Sequence, residues 1–413
     1  MRIYKVLFVA FLAIISCNTD EKKCANSSSE LASIIKTHEE RTSFDRDKYP
    51  LGIYTRTHFK AEADYAKNQL KNFDCIQIDE LSETEQISAE LLKFVLQDKI
   101  DFYKFERFLN PLLSDSGFHS SLNYQIRPLN NYWEVKEYLK KLNSLPEFVN
   151  QHFVNLREGL EKGVSQPKVI FKGYESTYND HIVTDFTKST FYKPFENLPS
   201  NLNNIQKDSV LAAAKITIEQ TVVPEFKKIK SFFETEYLPK TRTTLGVSET
   251  PNGAEYYQNR INFYTTSTQY TADDIHQIGL KEVARIKAEM QKIIKELNFN
   301  GSFADFFIFL RTDEQFYAKS PRELLMIARD MAKRVDAQLP KFFKTLPRKP
   351  YGVAPVPDAI APKYTAGRYI GTSKNSTEPG YYWVNTYDLP SRTLYTLPAL
   401  TVHEAVPGHH LQG

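Results

Sequence analysis

The chain closes on Thr401-Val402-His403-Glu404-Ala405-Val406-Pro407-Gly408-His409-His410-Leu411-Gln412-Gly413. This stretch is a variant of the His-Glu-x-x-His pattern, in which two imidazoles one helical turn apart hold zinc and the glutamate between them acts as base. Here the position four after His403 is Pro407, which offers no metal ligand, and the next histidines stand six and seven along. On a straight helix a residue seven along returns to within about 20° of the first, which favours His410. Pro407 and Gly408 argue against a straight helix: proline removes an amide donor and clashes with the preceding turn, and glycine accepts dihedrals that other residues avoid. After such a break His409 can swing onto the face of His403, so spacing leaves His409 and His410 both open as the second ligand. His403 is a good first ligand because imidazole binds zinc well, and Glu404, one residue on, is placed to address a water, as a general base does.

Working outward, Tyr381-Tyr382-Trp383-Val384-Asn385-Thr386-Tyr387 is aromatic and β-branched and predicts a strand directly before the metal helix. Such a strand could pair with an extended peptide, with Asn385 gripping the peptide backbone. Arg392 and Tyr395 lie between strand and helix and are candidates for stabilising a tetrahedral oxyanion or holding a substrate carboxylate; simple packing is the competing role. Ser320, with Pro321 in the first helical position and Glu323 three residues beyond, caps a helix running to about residue 339. Thr271 and Asp274 cap a longer one, in which Gly279, Val283, Ile286, Met290, Ile293 and Leu297 predict a single buried stripe. His276, in its first turn, reads as a surface or core residue. Residues 239–270 predict turns and short strands, 210–237 a helix, and 163–209 a long polar connection. Residues 31–162 read as mostly helical, and the pair His38-Glu39 as a solvated helix face, because no histidine follows at ligand spacing. The fold class expected is mainly α-helical, with a small β-sheet near the C-terminal part, and residues 31–413 forming one domain.

A chain of 413 residues, 41% hydrophobic and 25% charged, buries a large core and excludes wholesale disorder. With 53 basic and 50 acidic residues it lacks the global field that nucleic-acid binding requires. Neither a fixed-period repeat nor a low-complexity tract is present.

At the other end, Arg2 and Lys5 precede an apolar run, 6–15, too short to span a bilayer. The run ends in Ile14-Ile15-Ser16-Cys17, which resembles a lipoprotein cleavage site. The expectation is a signal peptide over 1–16, a lipid on Cys17 tethering the chain to a membrane of the cell envelope, and a polar linker over 17–30. Only Cys24 and Cys75 then remain, enough for one disulfide and too few for a cysteine zinc site, so any metal must use histidine and carboxylate.

From His403 to His409 the sequence is similar to the His-Glu-Ala-x-Pro-Gly-His signature of a bacterial family known as domain of unknown function 885, placed with the gluzincin-like zinc metallopeptidases. The similarity continues through 380–386, 388–392, 253–257 and the helix holding His276 and Gly279, and is thin before about residue 163. The resemblance implies a multi-helix gluzincin-like fold, Zn2+ as cofactor, His403 and His409 as ligands, Glu404 as base, and His410 as a neighbour. It also implies a third ligand, a glutamate on a later helix. This chain stops three residues past His410, so the expectation is a fragment, inactive or nearly so, of a protein that hydrolyses peptides. Two other readings fit the same envelope location, with oligomeric state left open: a non-catalytic surface lipoprotein binding peptides or glycans, and a zinc hydrolase of non-peptide amides or esters. Glu404 separates the first of these from an enzyme, since a binder has no use for a base.

Overall fold

The computed structural model describes residues 24–113, 116–358, 361–372 and 378–413. The signal peptide expected over residues 1–16 and the lipidation expected on Cys17 lie outside the described residues. Among the described residues the protein is mainly helical, 64%, with one small sheet, as the sequence predicts, and it forms two compact units, Met1–His276 and Gln277–Gly413.

The first unit opens with α1 (Ser27–Glu40), α2 (Arg56–Asn72) and α3 (Glu83–Lys104), each started by a side-chain cap from Asn26, Thr55 or Ser82. Leu31, Ile34, Ala66, Ala89 and Leu96 form their shared core. A Cys24–Cys75 disulfide ties the chain onto this layer, and the Cys24 amide donates to the Cys75 carbonyl at 2.9 Å. Of the linker expected over 17–30, the described part is folded: Cys24 is bridged to Cys75 and α1 begins at Ser27. His38 is also not freely solvated: its Nδ1 lies 3.2 Å from the Tyr65 hydroxyl.

A second, larger core follows, built by α4 (Tyr132–Asn143), α5 (Leu145–Glu161), α6 (Ser176–Asn179), α7 (Lys193–Glu196), α8 (Asn204–Thr217) and α9 (Val223–Ser231). The polar stretch 163–209 is not a bare connection, because Phe171, Tyr174, Tyr178, Phe191 and Phe195 plunge from it into that core. Helices α8 and α9 are joined by a wide π turn at Ile218–Val222, just ahead of Pro224, which has no amide to continue the i→i+4 ladder. Residues expected to form turns and strands instead include α10 (Gly253–Thr265), which packs on α3 through a Phe263–Phe94 stack at 4.8 Å and an Arg260–Asp98 ion pair at 2.9 Å. Tertiary pairing overrides the weak local signal there.

Next comes α11 (Ala272–Glu296), capped by Thr271 and Asp274 as predicted. Its apolar stripe is not buried: Val283 is 66% exposed and Ile293 50%. Periodicity predicts a helix, and nothing in it names the surface that would cover the stripe.

The second unit adds α12 (Phe303–Thr312), α13 (Pro321–Asp336), β1 (Tyr351–Pro355), β2 (Gly367–Ile370), β3 (Gly380–Val384), α14 (Leu397–Glu404) and α15 (His409–Gln412). The sheet order is β1-β3-β2, with β1 parallel and β2 antiparallel to β3. Tyr382 and Val384 on β3 meet Leu324 and Ala328 of α13 and Leu397 of α14 in one core. No described helix is long and apolar enough to cross a membrane.

In the first unit three histidines lie buried among rings: His119, His152 and His181. Both nitrogens of His152 lack a partner, and its ring stacks on Phe118 at 4.6 Å. Burial holds His119 and His152 down to about 3 and His181 to about 4, from an ordinary 6.5. The unfolded chain therefore takes up these protons first, so stability is complete above pH 6.5 and is lost as pH falls from there toward 3. His152→Phe should stabilise the protein by about 1 kcal/mol at pH 7, by removing two unpaired buried nitrogens, and should flatten the acid limb of unfolding midpoint against pH. A variant that unfolds with the wild-type acid profile would rule His152 out as a contributor.

Candidate metal centre

Helix α14 ends at Glu404. Ala405 leaves helical geometry at φ −94°, ψ −104°, the Val406–Pro407 peptide is cis, and α15 restarts at His409. The turn depends on Gly408: its amide donates to the Val402 carbonyl at 3.0 Å, and a Cβ there would lie 1.9 Å from the His403 carbonyl oxygen. Only a residue without a side chain lets the two backbones approach so closely.

The break brings together His403, Glu404 and His409, whose potential ligand atoms all lie within 4.8 Å of one another. The His403 and His409 rings stand edge to face, 4.9 Å between centroids, and His409 Nε2 is 3.9 Å from Glu404 Oε2. Both imidazoles are exposed, while Glu404 is buried. Tetrahedral zinc places its ligand atoms about 3.4 Å apart, and rotation of two exposed imidazoles closes the difference. The two imidazole nitrogens are donors of the kind zinc takes. His403 and His409 are thus the pair that fits the ion.

His410, the alternative left open by spacing, is not part of this group. It is buried, its Nδ1 lies 2.9 Å from the Tyr369 hydroxyl, its ring faces Tyr351 at 4.9 Å, and burial lowers its pKa. It locks α15 onto the sheet.

Two of the expected substrate contacts are corrected. Strand β3 is the central strand, hydrogen-bonded on both edges, so it has no free edge for a peptide. Asn385 follows β3, is fully buried, and spends its amide on the carbonyls of Ala361, Tyr364 and Thr365, while its Oδ1 accepts from the Tyr387 amide. It fastens a loop and has nothing left for a substrate. Tyr395 is 45% exposed and packs on Phe316 at 5.6 Å. Arg392 is half-buried, with its Nε unpaired. Neither belongs to the His403–His409 group.

Tyr369 was missed. Its backbone amide donates to Glu404 Oε2 at 2.7 Å, and its hydroxyl meets His410, so one residue of β2 orients the carboxylate and braces the restarted helix. Gly380 on β3 makes room for it, since a Cβ there would sit 2.0 Å from the Tyr369 hydroxyl. Tyr382, below, touches Thr401 of α14, and burial, with Glu404 adding, pushes its phenol up to about 12. No sequence pattern reveals which distant carboxylate the Tyr369 amide serves.

Gly408→Ala should cost about 1–3 kcal/mol of unfolding free energy and also prevent zinc retention, because the backbone must move and carry His409 away. Chemical denaturation and metal analysis check this, and zinc retention equal to wild type would show that the turn does not set the ligand pair.

No curated protein matches the chain. Two solved structures share its fold. A "putative lipoprotein" from Colwellia psychrerythraea is 20% identical with a TM-score of 0.77, and a "putative lipoprotein of unknown function" from Shewanella oneidensis is 15% identical with a TM-score of 0.55; each comparison covers 94% of this chain and 72% of the other. Likeness at these identities concerns the fold alone. The family model described as bacterial protein of unknown function (DUF885) matches residues 40–413, including the helical region where the sequence resemblance was thin, and the chain belongs to that family.

Proposed function

We propose that this chain carries the metal centre of a zinc-dependent hydrolase that cleaves peptide bonds at the bacterial cell envelope, on a fold related to the gluzincin-like peptidases. The reading rests on one observation: His403, Glu404 and His409 converge within 4.8 Å across a break in the helix. His403 and His409 would hold the ion, whose Lewis acidity, when bound, polarises a carbonyl and acidifies water. Glu404 takes a proton from the attacking water onto its carboxylate and delivers it to the leaving amine. The Tyr369 amide holds that carboxylate at a fixed angle, which favours proton transfer over mere charge compensation. A lipoprotein that only captured peptides or glycans would have no use for a buried, oriented glutamate beside two exposed imidazoles.

Envelope location is supported by the charged and apolar start of the chain with Cys17 at its end. The Cys24–Cys75 bridge also fits an oxidising compartment. Glu404→Gln should leave zinc content unchanged and lower peptide turnover at least about 100-fold, while His403→Ala or His409→Ala should lose the zinc. Turnover surviving in Glu404→Gln, read with a quenched fluorescent peptide library, would defeat the proposed role of the glutamate.

A further inference from the structure

Between α13 and β1 the second unit runs Leu339-Pro340-Lys341-Phe342-Phe343-Lys344-Thr345-Leu346-Pro347-Arg348-Lys349-Pro350. Leu339 is buried and anchors one tight helical turn, Leu339–Lys341. From Lys341 to Arg348 every residue is exposed. Phe342 is 77% exposed, and Phe343 and Leu346 are exposed with it. A lone exposed apolar residue is ordinary, whereas two phenylalanines and a leucine on one short irregular loop form a patch that asks for a partner. The core of this unit does not use them: α13, the sheet and α14 close around Leu324, Ala328, Tyr382, Val384 and Leu397 without any of the three.

The same loop carries charge of one sign. Lys341, Lys344, Arg348 and Lys349 stand between Asp336 and Asp358 with no acidic residue among them. Asp336, at the end of α13, is already taken by Lys333 and by the Tyr351 hydroxyl. Lys341 donates to Gln338 Oε1 at 2.8 Å and Lys349 to the Thr372 hydroxyl at 3.3 Å, while Lys344 and Arg348 have no ion-pair partner among the described residues. The foot of the loop is fixed, because Tyr351 pairs with Gly380 of β3 and its ring faces His410 at 4.9 Å. Apolar side chains and cations thus alternate along an exposed loop held by a rigid sheet.

A nucleic-acid backbone would answer the cations and leave the phenylalanines in water, and an apolar groove on another protein would do the reverse. An anionic bilayer answers both, since apolar side chains enter the boundary between headgroups and acyl chains while lysine and arginine stay at the headgroup charges. A chain tethered through Cys17 would have such a surface within reach, and the inference rests on that envelope reading. We propose that the loop 341–348 docks on an anionic membrane surface, with Phe342, Phe343 and Leu346 inserted at the headgroup level and Lys341, Lys344 and Arg348 against the lipid charges. It does not depend on the metal reading.

The test is sedimentation with vesicles of the polypeptide from Asn18 onward, which keeps every described residue and carries no lipid. It should bind mixed phosphatidylcholine–phosphatidylglycerol vesicles at least about tenfold more tightly than vesicles of phosphatidylcholine alone, and be released as salt rises. The double variant Phe342→Ser with Phe343→Ser, and the triple variant Lys341→Glu with Lys344→Glu and Arg348→Glu, should each lower affinity for the anionic vesicles at least about tenfold. Thermal midpoints should not change, because all five side chains are exposed. Equal affinity for the two kinds of vesicle, wild-type affinity in either variant, or binding of a DNA oligonucleotide without binding of vesicles would each overturn the proposal. Vesicle binding is read without cell fractionation or peptide turnover, so its failure is distinct from failure of the envelope location or of the hydrolase reading.

Discussion

The close approach of the Gly408 backbone to the His403 carbonyl is the constraint on which the candidate centre depends. It cannot be made by any residue bearing a Cβ, and it turns the chain at the point where α14 would otherwise continue. Had the helix run on straight, the imidazole returning to the His403 face would have been that of His410. With the turn in place, His409 crosses over to His403, and His410 is drawn inward to the Tyr369 hydroxyl. One backbone contact thus assigns the two neighbouring histidines opposite roles, one solvent-facing and available to a metal, the other structural.

The sheet makes that turn durable. Tyr382 and Val384 of β3 and Ala405 beyond α14 share a core with α13, so the helix carrying His403 and Glu404 rests on packed aromatic and aliphatic surface. From the edge of the same sheet Tyr369 reaches both Glu404 and His410. A buried carboxylate is expensive unless hydrogen-bonded, and the β2 amide answers that cost while setting the carboxylate's direction.

Local signals made much of this legible in the sequence. The caps at Thr271 and Ser320 and the helical class follow from short-range chemistry and are found where predicted, and the strand read over 381–387 forms at Gly380–Val384. The Pro407-Gly408 break was also readable, although not its outcome, because choosing between His409 and His410 requires the path of the chain through a turn. What failed involves partners distant in sequence. The α11 stripe is exposed, Asn385 is consumed by loop carbonyls, and β3 is flanked on both sides. Tyr369 was invisible for the same reason, and so were the aromatic anchors hidden in the polar stretch between α5 and α8, whose composition says loop while their side chains build the largest core.

Membership of a family of unknown function, together with likeness in fold alone to two solved structures, leaves the chemistry to be decided at the histidine pair itself. The most direct measurement is a crystal soaked in zinc and recorded at the zinc absorption edge. A single strong anomalous peak touching the ring nitrogens of His403 and His409, with His410 still bonded to Tyr369, is the result predicted. A peak on His410, or none near α14, would contradict it.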